Sequence, residues 1–394
     1  VSILTIGDIG VSSGIIHIGD EAMFEAARDE LAARGRTMTG ISSAPEESAH
    51  RYGIYAIGRL GFGDLDRAAA EERSSMLRAA ASGASALDDT DPAVAVLRAL
   101  DDASGVLIAG GGNLASRWPV HVYERTTLAA MAVARGLPVV VTGQTFGPDL
   151  TPADESRVAA MARAARLTGV REHDSGARAQ QTWGVRARVG VDDASFLAGG
   201  PSDSPVADPS APVLVSLSGW FAGRPAADVE QGIAELLDAA ARTVGPVVFH
   251  AHFGPVAAGA EPQGDAALHE LVRARMRQVS TVVPSGDSQT AAELARGARL
   301  LITSRYHPAV FAAPAGVPIL ALAADEYTRI KLGGALGHWG QSEVVDLDDL
   351  AGAPAKLAQL DAARAAIAER ALSRLPAHRA RAALWWDDVA AALG

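Results

Sequence analysis

Leu300-Leu301-Ile302-Thr303-Ser304-Arg305-Tyr306-His307-Pro308-Ala309-Val310-Phe311 reads as an apolar strand that gives way, across a short polar turn, to a helix opening near Pro308. An apolar run without in–out alternation marks a strand covered on both faces, as strands of parallel sheets are. In such sheets ligands bind where the strands end. The stretch therefore predicts both a fold class and a place for chemistry. Arg305 offers a planar fork suited to a carboxylate or phosphate, His307 offers an imidazole suited to proton transfer, and a helix start favours anions.

The same alternation extends in both directions. In the second half, strands are predicted over 213–217, 247–250, 281–283 and 318–322, with helices over 228–243, 266–279, 288–297 and 308–315. In the first half, strands are predicted over 2–6, 37–41, 105–109, 138–142, 167–171 and 188–191. Helices are predicted over 20–34, 92–102, 126–135, 152–165 and 175–183, with Thr151 and Asp154 as a capping box for the fourth. Residues 201–212, rich in Gly, Pro, Ser and Asp, read as a linker. The expected fold class is α/β, with two Rossmann-like domains facing a cleft and parallel sheets covered by helices. The expected boundaries are 1–200, a linker over 201–212, a second domain over 213–345 and a helical tail over 346–394. The Ala- and acid-rich stretch 64–91 reads as a solvated helical insertion.

Composition narrows the function. The formal charge is −11, with 46 acidic against 35 basic residues, which argues against a nucleic-acid partner. The chain has no cysteine, so thiolate nucleophiles, cysteine zinc sites and disulfide scaffolds are excluded. No apolar run approaches a membrane span, and Val1–Ile6 reads as a strand rather than a signal segment. A cytoplasmic location is expected. There is no P-loop and no G-x-G-x-x-G.

The remaining chemistry sits at predicted strand ends. Asp20 follows the turn that begins at Gly7 and opens a helix, as a cap, a functional group or both. Gly110-Gly111-Gly112-Asn113 closes a strand with three glycines, which lets a ligand or another backbone approach. Arg117, Trp118, His121 and Tyr123 after it suit a sugar face. Arg171 ends a strand, with an anion or the neighbouring Glu172 or Asp174 as its partner, and Asp192 ends another. Lys331 lies downstream of Arg305 and His307, placed to reach the same anion. His250 and His252 share one strand face, where a metal pair is geometrically possible; without a third ligand, contacts to substrate are the preferred role, and no metal is expected.

Taken in order, several segments resemble the polysaccharide pyruvyl transferase family. They are Gly-Asp-Glu-Ala at 19–22, the glycines at 110–112, Gly-Gln-Thr-Phe-Gly-Pro at 143–148 and Val-Arg-Glu-His-Asp-Ser at 170–175. To these add the Asp192 region, Ser-Arg-Tyr-His at 304–307 and Ala-Gly-Val-Pro at 315–318. The resemblance implies a GT-B-like fold and transfer of pyruvate from phosphoenolpyruvate to a sugar of a cell-surface glycan or its lipid-linked precursor. It implies that Arg171, Arg305 and His307 hold the phosphoenolpyruvate and that Asp20 lies near the acceptor. The second domain is then the donor side and the first the acceptor side. His17 stands where relatives often have Asn, and Tyr306 where they often have Leu.

On this reading His307 and Asp20 are catalytic. Arg171, Arg305, Lys331, Tyr306, Gly111, Gly112, Asn113, Asp192 and His252 bind substrate. Phosphoenolpyruvate is a co-substrate and no cofactor is required. Two alternatives stand beside it: a nucleotide-sugar glycosyltransferase on the same scaffold, and a non-catalytic glycan-binding protein. Arg379, Arg381, Trp385 and Trp386 near the C-terminus would either dock at the inner face of a membrane or pack on the body.

Overall fold

The computed structural model describes residues 1–202, 208 and 210–394, so the expected linker 201–212 falls in part outside the described residues. Sixteen strands occur among the described residues: β1 Ser2–Ile6, β2 Ile15–His17, β3 Met38–Ser42, β4 Tyr55–Gly58, β5 Ala103–Ile108, β6 Gly111–Leu114, β7 Val139–Phe146, β8 Leu167–Val170, β9 Arg188–Val189, β10 Val213–Ser216, β11 Val247–His250, β12 Phe253–Pro255, β13 Ser280–Val283, β14 Leu300–Thr303, β15 Ile319–Ala323 and β16 Val344–Asp346. The chain divides into two compact units. Unit 1 is Val1–Ser12, Met23–Asp193 and Ala380–Gly394; unit 2 is Ser13–Ala22 and Ala194–Arg379.

Unit 1 carries a parallel sheet in the order β4-β3-β1-β5-β7-β8-β9, with β6 paired to β7. Every residue of β7 is buried, and β5 is buried along its last four residues. Helices supply the apolar faces that cover such strands. The helix Arg67–Ala81 turns Ala70, Ser74, Leu77 and Ala81 inward, a spacing of three or four residues that puts them on one face. That corrects the expectation of a solvated insertion over 64–91: Leu77 and its neighbours belong to the core of unit 1.

Unit 2 carries a second parallel sheet, in the order β13-β11-β10-β14-β15-β16. Counted within the sheet this is 3-2-1-4-5-6, the order of dinucleotide-binding sheets, with its switch point between β10 and β14. Unit 1 reverses in the same way between β1 and β5. The carboxyl ends of these strand pairs are where ligands are expected.

The units differ from the boundaries expected from sequence: the long segment of unit 1 ends at Asp193, and the expected tail is split, residues 346–379 falling in unit 2 and 380–394 in unit 1. Two of the differences have a plain physical cause. Residues Ser13–Ala22 belong to unit 2 because β2 pairs antiparallel with β12, Ile15 opposite Pro255 and His17 opposite Phe253, and because the Ile18 N–H donates to the His252 carbonyl at 2.9 Å. Residues Ala380–Gly394 belong to unit 1 because Trp385, Trp386, Val389 and Leu393 pack with Ile3, Phe24, Leu31 and Val140. The indole N–H of Trp385 also donates to Thr142 Oγ1 at 3.0 Å. These tryptophans are core residues, so of the two expectations for them it is packing on the body that holds. No helix among the described residues is long and apolar enough to cross a membrane.

Candidate active site

At the switch point of unit 2 the turn after β14 is locked to the end of β10. Thr303 Oγ1 donates to the Ser216 carbonyl at 2.8 Å, and Ser304 N–H donates to the same oxygen at 3.1 Å. Ser304 Oγ in turn accepts from Ser218 N–H at 2.8 Å. Arg305 is the residue before the short helix Tyr306–Ala312, in extended backbone, so its side chain leaves the turn at the strand end. There its Nε donates to Asp265 Oδ2 at 2.7 Å and its Nη2 meets Asp265 Oδ1. Asp265 is 1% exposed; burial pushes its carboxyl pKa up, and the Arg305 charge opposes that shift.

His307 sits in the first turn of the same helix, its ring 5.1 Å from Tyr306 and 6.2 Å from Phe311. Its Nδ1 lies against Gly19, so closely that a Cβ on Gly19 would overlap the ring. Gly19 thus has a reason to be glycine that has nothing to do with backbone freedom. Next to it, Asp20 lies in the first turn of the helix Ile18–Ala33 and pairs with His17 Nδ1.

His252 completes this side of the unit. It is 3% exposed and its ring centroid is 6.0 Å from Phe311 and 5.3 Å from His250. Both of its ring nitrogens are buried without a hydrogen-bond partner among the described residues. Burial holds its pKa well below the usual imidazole range, with the charges of His250, His307, Arg305 and His17 adding to the effect. It is therefore a neutral imidazole with one donor and one acceptor to offer.

Lys331 projects from the helix Glu326–His338, which opens on a capping box made by Asp325 and Thr328. Its Nζ is 3.0 Å from the Tyr327 hydroxyl, 4.3 Å from the Tyr327 ring centre and 5.3 Å from that of Tyr306. Of the residues singled out from sequence, unit 2 thus gathers Asp20, His252, Arg305, Tyr306, His307 and Lys331. Asp265 was missed. Its only sequence signal is an acidic residue opening the helix Asp265–Arg273, which reads equally well as a helix-terminus charge.

The other expected residues lie in unit 1. Arg171 is 1% exposed: Nη1 donates to Asp192 Oδ2 at 2.8 Å, and Nε donates to Thr145 Oγ1 at 2.9 Å. Its closest carboxylate is thus that of Asp192, with Glu172 at 3.9 Å. Gly111 and Gly112 open β6. The close approach that the glycine run predicted falls at Gly110 and is made by the protein itself, since an added Cβ would lie 3.1 Å from Asp193 Oδ2 and 3.2 Å from the Gly143 carbonyl. Asn113 is buried, and its Oδ1 has no partner among the described residues. Asp193, just after Asp192, accepts from Thr142 Oγ1 at 2.9 Å; burial and the Asp192 charge push its pKa up to about 7.

The aromatic and basic group at 117–123 does not form one surface. Tyr123 is buried in a stack with Phe62 at 6.2 Å, whereas Arg117 lies over Trp118 at 5.4 Å. His121 joins Asp8 at 3.4 Å in a charged group with Arg59 and Glu124.

Solved structures with similar folds are enzymes of sugar chemistry. A putative UDP-N-acetylglucosamine 2-epimerase from Listeria monocytogenes superposes with a TM-score of 0.59 at 11% identity, covering 94% of this chain and 91% of that one. The UDP-GlcNAc 2-epimerase from Neisseria meningitidis, bound to UDP-GlcNAc, gives 0.58 at 10% identity over 96% and 98%. A glycosyltransferase from Rickettsia africae ESF-5 gives 0.55 at 11% identity over 98% of each chain. At such identities these likenesses establish a GT-B-like fold and nothing about substrate. No curated protein sequence matches the chain. The sequence pattern described as polysaccharide pyruvyl transferase matches residues 17–326, a span that runs through both units and takes in Asp20, Arg171, Asp192, His252, Arg305 and His307. The chain belongs to the polysaccharide pyruvyl transferase family and is a transferase of GT-B-like fold.

Proposed function

We propose that this transferase moves the pyruvyl group of phosphoenolpyruvate onto two hydroxyls of one sugar in a polysaccharide or its lipid-linked precursor, forming a ketal and releasing phosphate. The observation that carries the reading is the grouping of Arg305, His307, His252 and Lys331 at and beside the switch point of unit 2. Phosphoenolpyruvate is small and highly charged, so its site needs cations and directed N–H groups more than apolar volume. Arg305 and Lys331 supply the charge, and neutral His252 supplies a buried N–H. Tyr306 holds Lys331 in place through its ring face.

His307 is the group that delivers a proton to the methylene carbon C3, which leaves C2 electrophilic. A sugar hydroxyl attacks C2, and Asp20, paired with His17, takes its proton. The bond from C2 to the phosphate oxygen breaks, and a second hydroxyl of the same sugar closes the ketal. One proton enters at C3 and two leave the hydroxyls, so the surplus departs with phosphate. No electron changes hands, so the reaction calls for no redox cofactor.

In unit 1, the buried Asn113 amide suits a sugar hydroxyl. Arg171, turned toward Asp192, holds the end of β8, and the anion falls to Arg305 and Lys331. A nucleotide-sugar transferase remains the second reading, favoured by the 3-2-1-4-5-6 strand order of unit 2. Thermal shift separates the two. Stabilisation by phosphoenolpyruvate and not by a nucleoside diphosphate is expected; the reverse pattern would overturn the proposal.

A further inference from the structure

We infer that Asp265 is a positioning residue, whose task is to hold the guanidinium of Arg305 in one pose for the anion. The inference rests on the phosphoenolpyruvate reading above and concerns the same site. Asp265 lies 40 residues before Arg305 in sequence, and its carboxylate is almost wholly buried. It takes the Nε–Nη2 edge of the guanidinium side-on, through both oxygens. Oδ2 also accepts the N–H of Phe253 at 3.0 Å, which ties the carboxylate to the first residue of β12.

A guanidinium has five N–H donors in a rigid plane. With the Nε–Nη2 edge held by Asp265, the end-on edge formed by Nη1 and the second hydrogen of Nη2 is left for a ligand. The Nη1 hydrogens have no hydrogen-bond partner among the described residues, and the Arg305 side chain is 24% exposed. A fork held on one edge and open on the other meets a carboxylate or phosphate in a fixed orientation, without first ordering a long side chain. The same carboxylate braces the chain beside His252, so the two groups facing the donor share one anchor.

The alternative is an ion pair that serves the fold alone. Isothermal titration with phosphoenolpyruvate, and with inorganic phosphate as the product anion, separates the two. In Asp265→Asn the size is kept but one oxygen acceptor is lost. The expected result is at least ~10-fold weaker binding of both anions, with the KM for the sugar acceptor unchanged. In the Arg305→Ala background the same change should then have no further effect, because its target is gone. Arg305→Lys, with Asp265 intact, should also weaken both anions, since it keeps the charge and removes the fork. Unaltered anion binding by Asp265→Asn would overturn the inference, as would a loss that persists undiminished in the Arg305→Ala background. Should Asp265→Asn fail to fold, wild-type affinity in Arg305→Lys would overturn it instead. Failure of the wild-type protein to bind phosphoenolpyruvate at all would remove the donor reading itself, a different and distinguishable outcome.

Discussion

Replacing Gly19 by alanine puts one methyl group where the structure has none to spare. Gly19 is the second residue of the helix Ile18–Ala33, and its φ is not in the positive region. By helix propensity alone, alanine there should stabilise by about 0.5–1 kcal/mol. The added Cβ would, however, overlap the Nδ1, Cε1 and Cγ positions of the His307 ring, all three closer than van der Waals contact permits. Overpacking of this kind costs about 1–3 kcal/mol unless the neighbour moves. His307 is part-exposed, so the ring moves rather than the helix, and the displacement is on the order of an ångström. A misplacement of that size in a proton donor lowers turnover by about 100-fold. The expected pattern is therefore a kcat reduced ~100-fold with a melting temperature within a few degrees of wild type. Gly333→Ala, on the helix Glu326–His338 with no atom within 4 Å of the added methyl, serves as the control that should only stabilise. The assay is steady-state phosphate release. Wild-type kcat in Gly19→Ala would refute the placement of His307 as the proton donor.

Three further outcomes follow from the same geometry. His307→Ala and Arg305→Ala should each lower turnover by at least ~100-fold while leaving the circular dichroism spectrum intact; near-normal turnover by either would remove that residue from the mechanism. Asp193, with its pKa pushed up to about 7 from 3.8, holds a proton in the folded state that the unfolded chain has lost. Its contribution to stability is thus fully present below about pH 4 and lost as pH rises through about 7. Asp193→Asn, which keeps the acceptor for Thr142, should raise the melting temperature at pH 8 and hardly change it at pH 4, and equal effects at both would contradict the burial of that carboxyl.

Much of this could be read from residues alone, and the exceptions have physical causes. The run Leu300–Thr303 announces itself because a strand buried on both faces reads as consecutive apolar residues, here Leu300, Leu301 and Ile302, and the turn after it bears Arg305 and His307. The ribbon of β2 and β12 was invisible, since three residues are too few for a period-two pattern. It is this ribbon that brings Gly19 and Asp20 into unit 2, and so puts Gly19 against His307. Asp265 escaped because its partner is distant in sequence and a lone acidic residue at a helix start has a sufficient local reason to be there. The helix around Leu77 was expected but its burial was not, because small alanines dilute the amphipathic signal of a stretch that is nonetheless packed. Arg171 was legible as a strand-end arginine, but which carboxylate would hold it was not; the order of β8 and β9 brings Asp192 within reach.

The account stands most directly on donor chemistry. Purified protein incubated with phosphoenolpyruvate and a panel of glycosides should release phosphate only when both are present. The glycoside should gain the mass of pyruvic acid less one water, and Arg305→Ala should abolish both signals together. Transfer of a sugar from a nucleotide donor, or phosphate release that leaves every glycoside unchanged, would contradict it.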